Sequence, residues 1–111
     1  MILNHLNLTV TDVTGSVAFL EKYFGLRKHD GNDKFTLMFD DNGLVLSLMK
    51  AGQASYPATF HIGFVQESED RVNEINQQMK ADGFDVQPPE RHHAWTFYVT
   101  APGGFSVEVL A

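Results

Sequence analysis

No cysteine occurs among the 111 residues, which excludes disulfides and thiolate metal ligation and fits a cytoplasmic setting. Positive charge is scarce as well: eight Lys and Arg stand against fourteen Asp and Glu, for a formal net charge of −6. The cations are scattered from Lys22 to Arg91 without forming a patch, so nucleic acid is not an expected partner. Long apolar runs are missing too. No stretch approaches the ~20 residues of a membrane-spanning helix, and the opening Met1-Ile2-Leu3-Asn4 is not expected to begin a signal peptide. Nine Phe supply much of the apolar volume for one small domain or two tightly paired modules.

What the chain does have is a repeat. In its first half a strand-like run over residues 3–10 leads into a helical pattern over 14–24, where Val13, Val17, Leu20 and Phe24 form one apolar stripe. Gly25 supplies the stop. Strands are predicted at 27–30, 35–39 and 44–50, with turns at Gly31-Asn32-Asp33 and Asp40-Asp41-Asn42-Gly43. The second half follows the same grammar: a strand over 59–65, a helix over 69–81 capped by Ser68 and striped by Val72, Ile75 and Met79, and a stop at Gly83. Strands at 84–87, 94–100 and 105–110 complete it, the last two joined through Pro102-Gly103-Gly104. Residues 53–57 read as the linker.

Three ligand-type side chains fall at matched places in this repeat. His5 and His61 each sit in the first strand of a half, among apolar neighbours that point the other way. Aligning Gly43-Leu44 with Gly104-Phe105 places Ser47 on Glu108, in the last strand of each half. A lone strand His is most often structural or solvated. Two His and one Glu at symmetry-related positions instead suggest a two-His-one-carboxylate metal site.

A βαβββ-βαβββ chain with these residues resembles the vicinal oxygen chelate superfamily, which includes glyoxalase I, the fosfomycin-resistance transferases, methylmalonyl-CoA epimerase, extradiol dioxygenases and the bleomycin-binding proteins. The likeness is carried by residues 3–12 running into 17–26, by Phe60-His61-Ile62-Gly63-Phe64, and by residues 101–109. It implies an α+β fold of paired βαβββ modules, residues 1–52 and 58–111, forming a curved, cup-shaped mixed sheet with helices on the outer face. His5, Asn7, Ser47, His61, Gly63, Ser106 and Glu108 are then expected to face into the cup.

The resemblance implies one divalent cation per site, held by His5, His61 and Glu108, with Zn, Ni, Mn and Fe equally compatible. Such a centre would bind a small substrate through vicinal oxygens. Glyoxalase I carries a fourth ligand, a Glu, where this chain has Ser47, so ordinary glyoxalase I chemistry is not expected. The three-ligand set is that of the fosfomycin-resistance transferases and extradiol dioxygenases. The former use a cationic residue beyond the last ligand strand, a part that Arg91 would have to play here. The latter use a His and a Tyr near the metal, which points to His93 and Tyr98 as catalytic groups. Asn7, Ser47, Arg91 and Trp95 are the expected substrate contacts. In several relatives the halves pair between chains, and unpaired strand edges would expose a monomer to aggregation. A homodimer with shared sites is therefore expected. The competing class is a metal-free, drug-binding module of the bleomycin-binding type.

Overall fold

The structure, a computed structural model, describes residues 1–111. The chain forms two units: Met1–Tyr56 with Ala101–Phe105, and Pro57–Thr100 with Ser106–Ala111. Each is a βαβββ module built on one four-stranded mixed sheet. No helix is long and apolar enough to cross a membrane.

In the first unit β1 (His5–Val10) leads through α1 (Val13–Phe24) to β2 (Arg27–Gly31), β3 (Phe35–Phe39) and β4 (Val45–Lys50). The sheet order is β1-β4-β3-β2, with β1 parallel to β4 and the other pairs antiparallel. Asp12 caps α1 by accepting from the Gly15 N–H at 2.9 Å, and Gly25 ends it in the left-handed region at φ 67°. The helix buries Val13, Val17, Phe19, Leu20 and Tyr23 together with Leu8, Val10, Met38, Leu46 and Leu48. Each such side chain contributes about 1.5–3 kcal/mol on burial. The apolar stripe differs from the sequence expectation at one point: Tyr23 is buried, while Phe24 is only half-buried.

The second unit runs β5 (Ile62–Val65), α2 (Glu69–Ala81), β6 (Glu90–Arg91), β7 (Trp95–Thr100) and β8 (Ser106–Leu110), in sheet order β5-β8-β7-β6. Ser68 caps α2 through the Arg71 N–H. Val72, Ile75 and Met79 pack with β7 and β8, whose Phe97, Val99, Val107 and Val109 are buried. Two strand expectations need correction. Residues 84–87 form no strand, because Pro88 and Pro89 supply no N–H to a ladder and the Asn76 amide donates to the Gln87 carbonyl at 2.8 Å. The strand expected from residue 59 begins at Ile62, because Pro57 to Phe60 form a turn closed by a Phe60 N–H to Pro57 carbonyl bond.

The registers confirm the repeat. Ser47 pairs with Asn7 in the first sheet and Glu108 with Gly63 in the second, so the alignment of His5 with His61 and of Ser47 with Glu108 holds residue for residue.

Two local features give direct tests. The β7–β8 connection belongs to the first unit, where Thr11 N–H donates to the Gly103 carbonyl at 3.0 Å and Ser16 Oγ to that of Pro102 at 2.6 Å. Gly103 is buried at φ 102°, and a β-carbon there would press on Ser16 Oγ and Val10. Gly103→Ala is expected to cost about 2–4 kcal/mol in urea unfolding, from backbone strain plus overpacking. A loss under half a kcal/mol would contradict this packing. Tyr56 donates its hydroxyl proton to the Thr9 carbonyl at 2.6 Å, and burial raises its pKa above the ordinary value of 10. The neutral form is thus favoured by folding, so its contribution is complete below pH 10 and is lost as pH rises through the folded-state value. Tyr56→Phe should cost about 1 kcal/mol at neutral pH and flatten the alkaline fall in stability. Parallel stability curves above pH 10 for both proteins would refute the assignment.

Candidate functional site

Glu108 is the centre of a polar cluster in the second unit. Alternation along β8 sends Val107 and Val109 toward α2 and leaves Glu108 on the opposite face, where its side chain is only 6% exposed. Tyr98 lies directly across on β7, with Thr96 two residues earlier on the same face. The parallel neighbour of Glu108 on β5 is Gly63, which puts no side chain beside the carboxylate. In the first unit the equivalent residue is Asn7, whose Oδ1 accepts from Ser47 Oγ at 2.7 Å.

Both oxygens of this carboxylate are engaged. Oε2 accepts from Thr96 Oγ1 at 2.7 Å and lies 2.6 Å from His93 Nε2. Oε1 faces His61 Nε2 at 3.3 Å. Tyr98 adds a hydroxyl bond to the carboxylate, and its ring stands edge-on to that of His61 at 5.3 Å. Burial pushes the Glu108 pKa up, but the bonds from Thr96 and His93, the His93 charge and the Tyr98 hydroxyl outweigh it, and the net shift is downward. Glu108 is therefore a buried anion at neutral pH. Tyr98 moves the opposite way, raised by burial first and then by the charge of Glu108 and its bond to it. It is a neutral hydroxyl donor.

The His61 ring shows which atom is offered. Its Nδ1 lies 2.9 Å from the Thr59 carbonyl, an acceptor, so Nδ1 donates there and Nε2 is the nitrogen turned toward the carboxylate. Nε2 faces a carboxylate oxygen, a contact that a proton or another cation between them makes favourable. His5, in the first unit, is arranged the same way: its Nδ1 is held by Asn4 Oδ1 at 2.7 Å, and its ring is exposed. Fixing Nδ1 on an oxygen is how metal-ligating imidazoles are oriented. The donor chemistry therefore fits a divalent cation. Within one chain, however, no group of three or more His, Cys, Asp and Glu side chains is arranged to hold one. His61 and Glu108 would supply two donors to such an ion.

A cavity of about 350 Å³ adjoins His61, lined by Ala58, Thr59, Phe60, His61, Tyr98 and Ser106. It is small and of mixed polarity, at the lower end for ligand sites.

The other expected residues divide. His93 and Tyr98 both reach Glu108. Arg91 and Trp95 do not share its face: Arg91 pairs with Glu69 at 2.5 Å and lies over the Trp95 ring, and Trp95 Nε1 donates to Asn73 Oδ1 of α2 at 2.8 Å. These two, expected at substrate, instead fasten the β6–β7 hairpin to α2. Strand alternation puts Trp95 opposite to Thr96, which accounts for the difference. Asn7 and Ser47 bond to one another in the first unit. Thr96, Thr59 and Asn4 were not anticipated. The same alternation would have flagged Thr96, two residues before Tyr98 in a strand paired with that of Glu108.

The family model of the Glyoxalase/Bleomycin resistance protein/Dioxygenase superfamily matches residues 2–109. The chain belongs to this superfamily. A search of curated proteins finds no match. Among solved structures, a possible glyoxalase from Bacillus cereus is 54% identical, with a TM-score of 0.95 over 100% of this chain and 99% of that one. The fosfomycin resistance protein FosX from Listeria monocytogenes, complexed with Mn(II) and sulfate, is 23% identical, with a TM-score of 0.83 over 100% and 91%. A lactoylglutathione lyase from Agrobacterium tumefaciens is 19% identical, with a TM-score of 0.76 over 98% and 92%. The last two likenesses are of fold. They bear out the paired βαβββ architecture, and the family model carries the superfamily grouping.

Proposed function

We propose that the protein is a divalent-metal-dependent vicinal oxygen chelate enzyme acting on a small oxygen-bearing substrate, and that it works as a homodimer. The observation that carries this reading is the placement of His61 Nε2 3.3 Å from the buried Glu108 anion, with the ring held through Nδ1 at the Thr59 carbonyl. His61 and Glu108 would hold the cation with His5 of a second copy as third ligand. The Mn(II) in the FosX structure is in keeping with such a centre. When bound, a divalent ion of this kind supplies Lewis-acid stabilisation of charge developing on substrate oxygens.

The chain's own residues do the rest. Tyr98, neutral and nearly half exposed beside the cavity, is placed to donate a proton or hydrogen bond to a substrate oxygen. Phe60 and Ala58 supply the apolar wall and Ser106 a further polar contact. With Ser47 where glyoxalase I has a Glu, the first unit adds no carboxylate. The chemistry is then of the addition or oxygenation type, or an isomerisation whose proton transfer passes through Tyr98. Arg91 is committed to Glu69, which weakens phosphonate recognition.

The test is elemental analysis of protein purified without a metal-affinity tag, followed by turnover assays with glutathione adducts, catechols and fosfomycin. About one metal per chain with turnover of one class is expected. Metal-free protein that takes up no added divalent ion would return the chain to the drug-binding type.

A further inference from the structure

We infer that His93 and Thr96 are positioning residues that commit Oε2 of Glu108 and leave Oε1, opposite His61 Nε2, as the oxygen offered to a cation. This rests on the metal-centre reading above and assigns His93 a role other than contact with substrate. Three observations support it.

The first is the division of labour between the two carboxylate oxygens. Oε2 is met by two donors at 2.6 and 2.7 Å, while Oε1 faces the His61 nitrogen at 3.3 Å, with the Tyr98 hydroxyl also bonding to the carboxylate. A carboxylate with both lone pairs of one oxygen engaged cannot turn that oxygen to a metal without breaking bonds that burial makes costly to lose. The second is burial. Thr96 is 2% exposed and Glu108 5%, so their bond does not compete with water. The third is bracing. His93 is itself well exposed and sits in the turn between β6 and β7, a place where an unsupported side chain would be mobile. Its hairpin is fastened from the other side of the sheet by the Arg91–Glu69 pair, the Arg91–Trp95 stack and the Trp95–Asn73 bond. The hairpin thereby holds His93 over the carboxylate. Outer-shell partners of this kind orient a ligand and set its affinity.

The experiment is a titration of the full-length wild-type protein, Thr96→Val, Thr96→Ser, His93→Ala and the Thr96→Val/His93→Ala double variant with Co(II), followed by its visible d–d absorption, and with Zn(II) in competition. Thr96→Val is isosteric, and circular dichroism checks each fold. Each single loss should weaken binding about 10–100-fold. The double variant should also lower the d–d intensity, because a freed Oε2 joins Oε1 on the ion and raises its coordination number. Thr96→Ser keeps the hydroxyl and should restore wild-type affinity and spectrum. Wild-type binding with unchanged affinity and spectrum in the variants would overturn the inference alone. Weakened binding with an unchanged spectrum and no rescue by Ser would also overturn it, showing general destabilisation. A wild-type protein that takes up neither ion would overturn the metal-centre reading and this inference with it. If the double variant does not fold, affinity and Ser rescue at position 96 decide the matter.

Discussion

Replacing Glu108 by Gln should abolish divalent-metal uptake while leaving the fold intact. The amide has the volume of the carboxylate, so the packing around a residue only 5% exposed survives. Its carbonyl oxygen can keep accepting from Thr96 and His93, the two donors at 2.7 and 2.6 Å. Its NH2 then turns toward His61 Nε2, whose lone pair now finds a donor where it faced an anion. The variant therefore satisfies the site with a hydrogen bond in the place proposed for the cation. It also removes the only negative charge at the centre, and a dication loses far more from that than from an outer-shell change. The loss in affinity should exceed the ~100-fold upper range seen for outer-shell partners. Equilibrium dialysis with elemental analysis measures it, and thermal unfolding should shift by only a few degrees. Stoichiometric metal held by Glu108→Gln at wild-type affinity would rule out Glu108 as a ligand.

How much of this was legible before the structure follows from what periodicity can see. Alternation along a strand is a local property, so Glu108 between Val107 and Val109, and Leu6 and Leu8 flanking Asn7, could be assigned to faces from sequence alone. Capping is also local, and Asp12, Gly25 and Ser68 act where short-range stereochemistry puts them, although only the last two were anticipated. The repeat supplied the long-range information that His5 lies on His61 and Ser47 on Glu108; the pairings Asn7–Ser47 and Gly63–Glu108 are seen only in the sheets. What escaped the sequence were contacts that depend on three-dimensional partners. Trp95 and Arg91 looked like pocket residues by type, and only the position of Asn73 and Glu69 on α2 shows them bracing a hairpin. Residues 84–87 have the composition of a strand, but they form none, and the Gln87 carbonyl accepts from the Asn76 amide of α2 instead. The Thr59 carbonyl that orients His61 belongs to a turn, and backbone acceptors leave no trace in residue identity.

Mixing His5→Ala chains with Glu108→Ala chains should restore metal binding that neither variant shows alone. His61 and Glu108 form one pair of donors, His5 presents a similarly oriented ring in the other unit, and no chain by itself gathers three. Strand edges point the same way. In its own sheet β1 is a terminal strand, and so is β5, and each sits beside exposed apolar side chains: Ile2 and Leu3 ahead of β1, Val65 within β5. Open edges with apolar neighbours are what a second copy of the chain would cover. In the proposed dimer each site takes His5 from one chain and His61 with Glu108 from the other. A mixed dimer then has one site lacking both residues and one site with all three ligands. Equal mixing after reversible unfolding gives half mixed dimers, and hence about a quarter of wild-type capacity. Were each site built within one chain, every site in the mixture would lack His5 or Glu108, and no binding would return. Mixed dimers confirmed by native mass spectrometry but devoid of metal would therefore reject the shared site, while recovery near a quarter would place His5 and Glu108 of different chains on one ion.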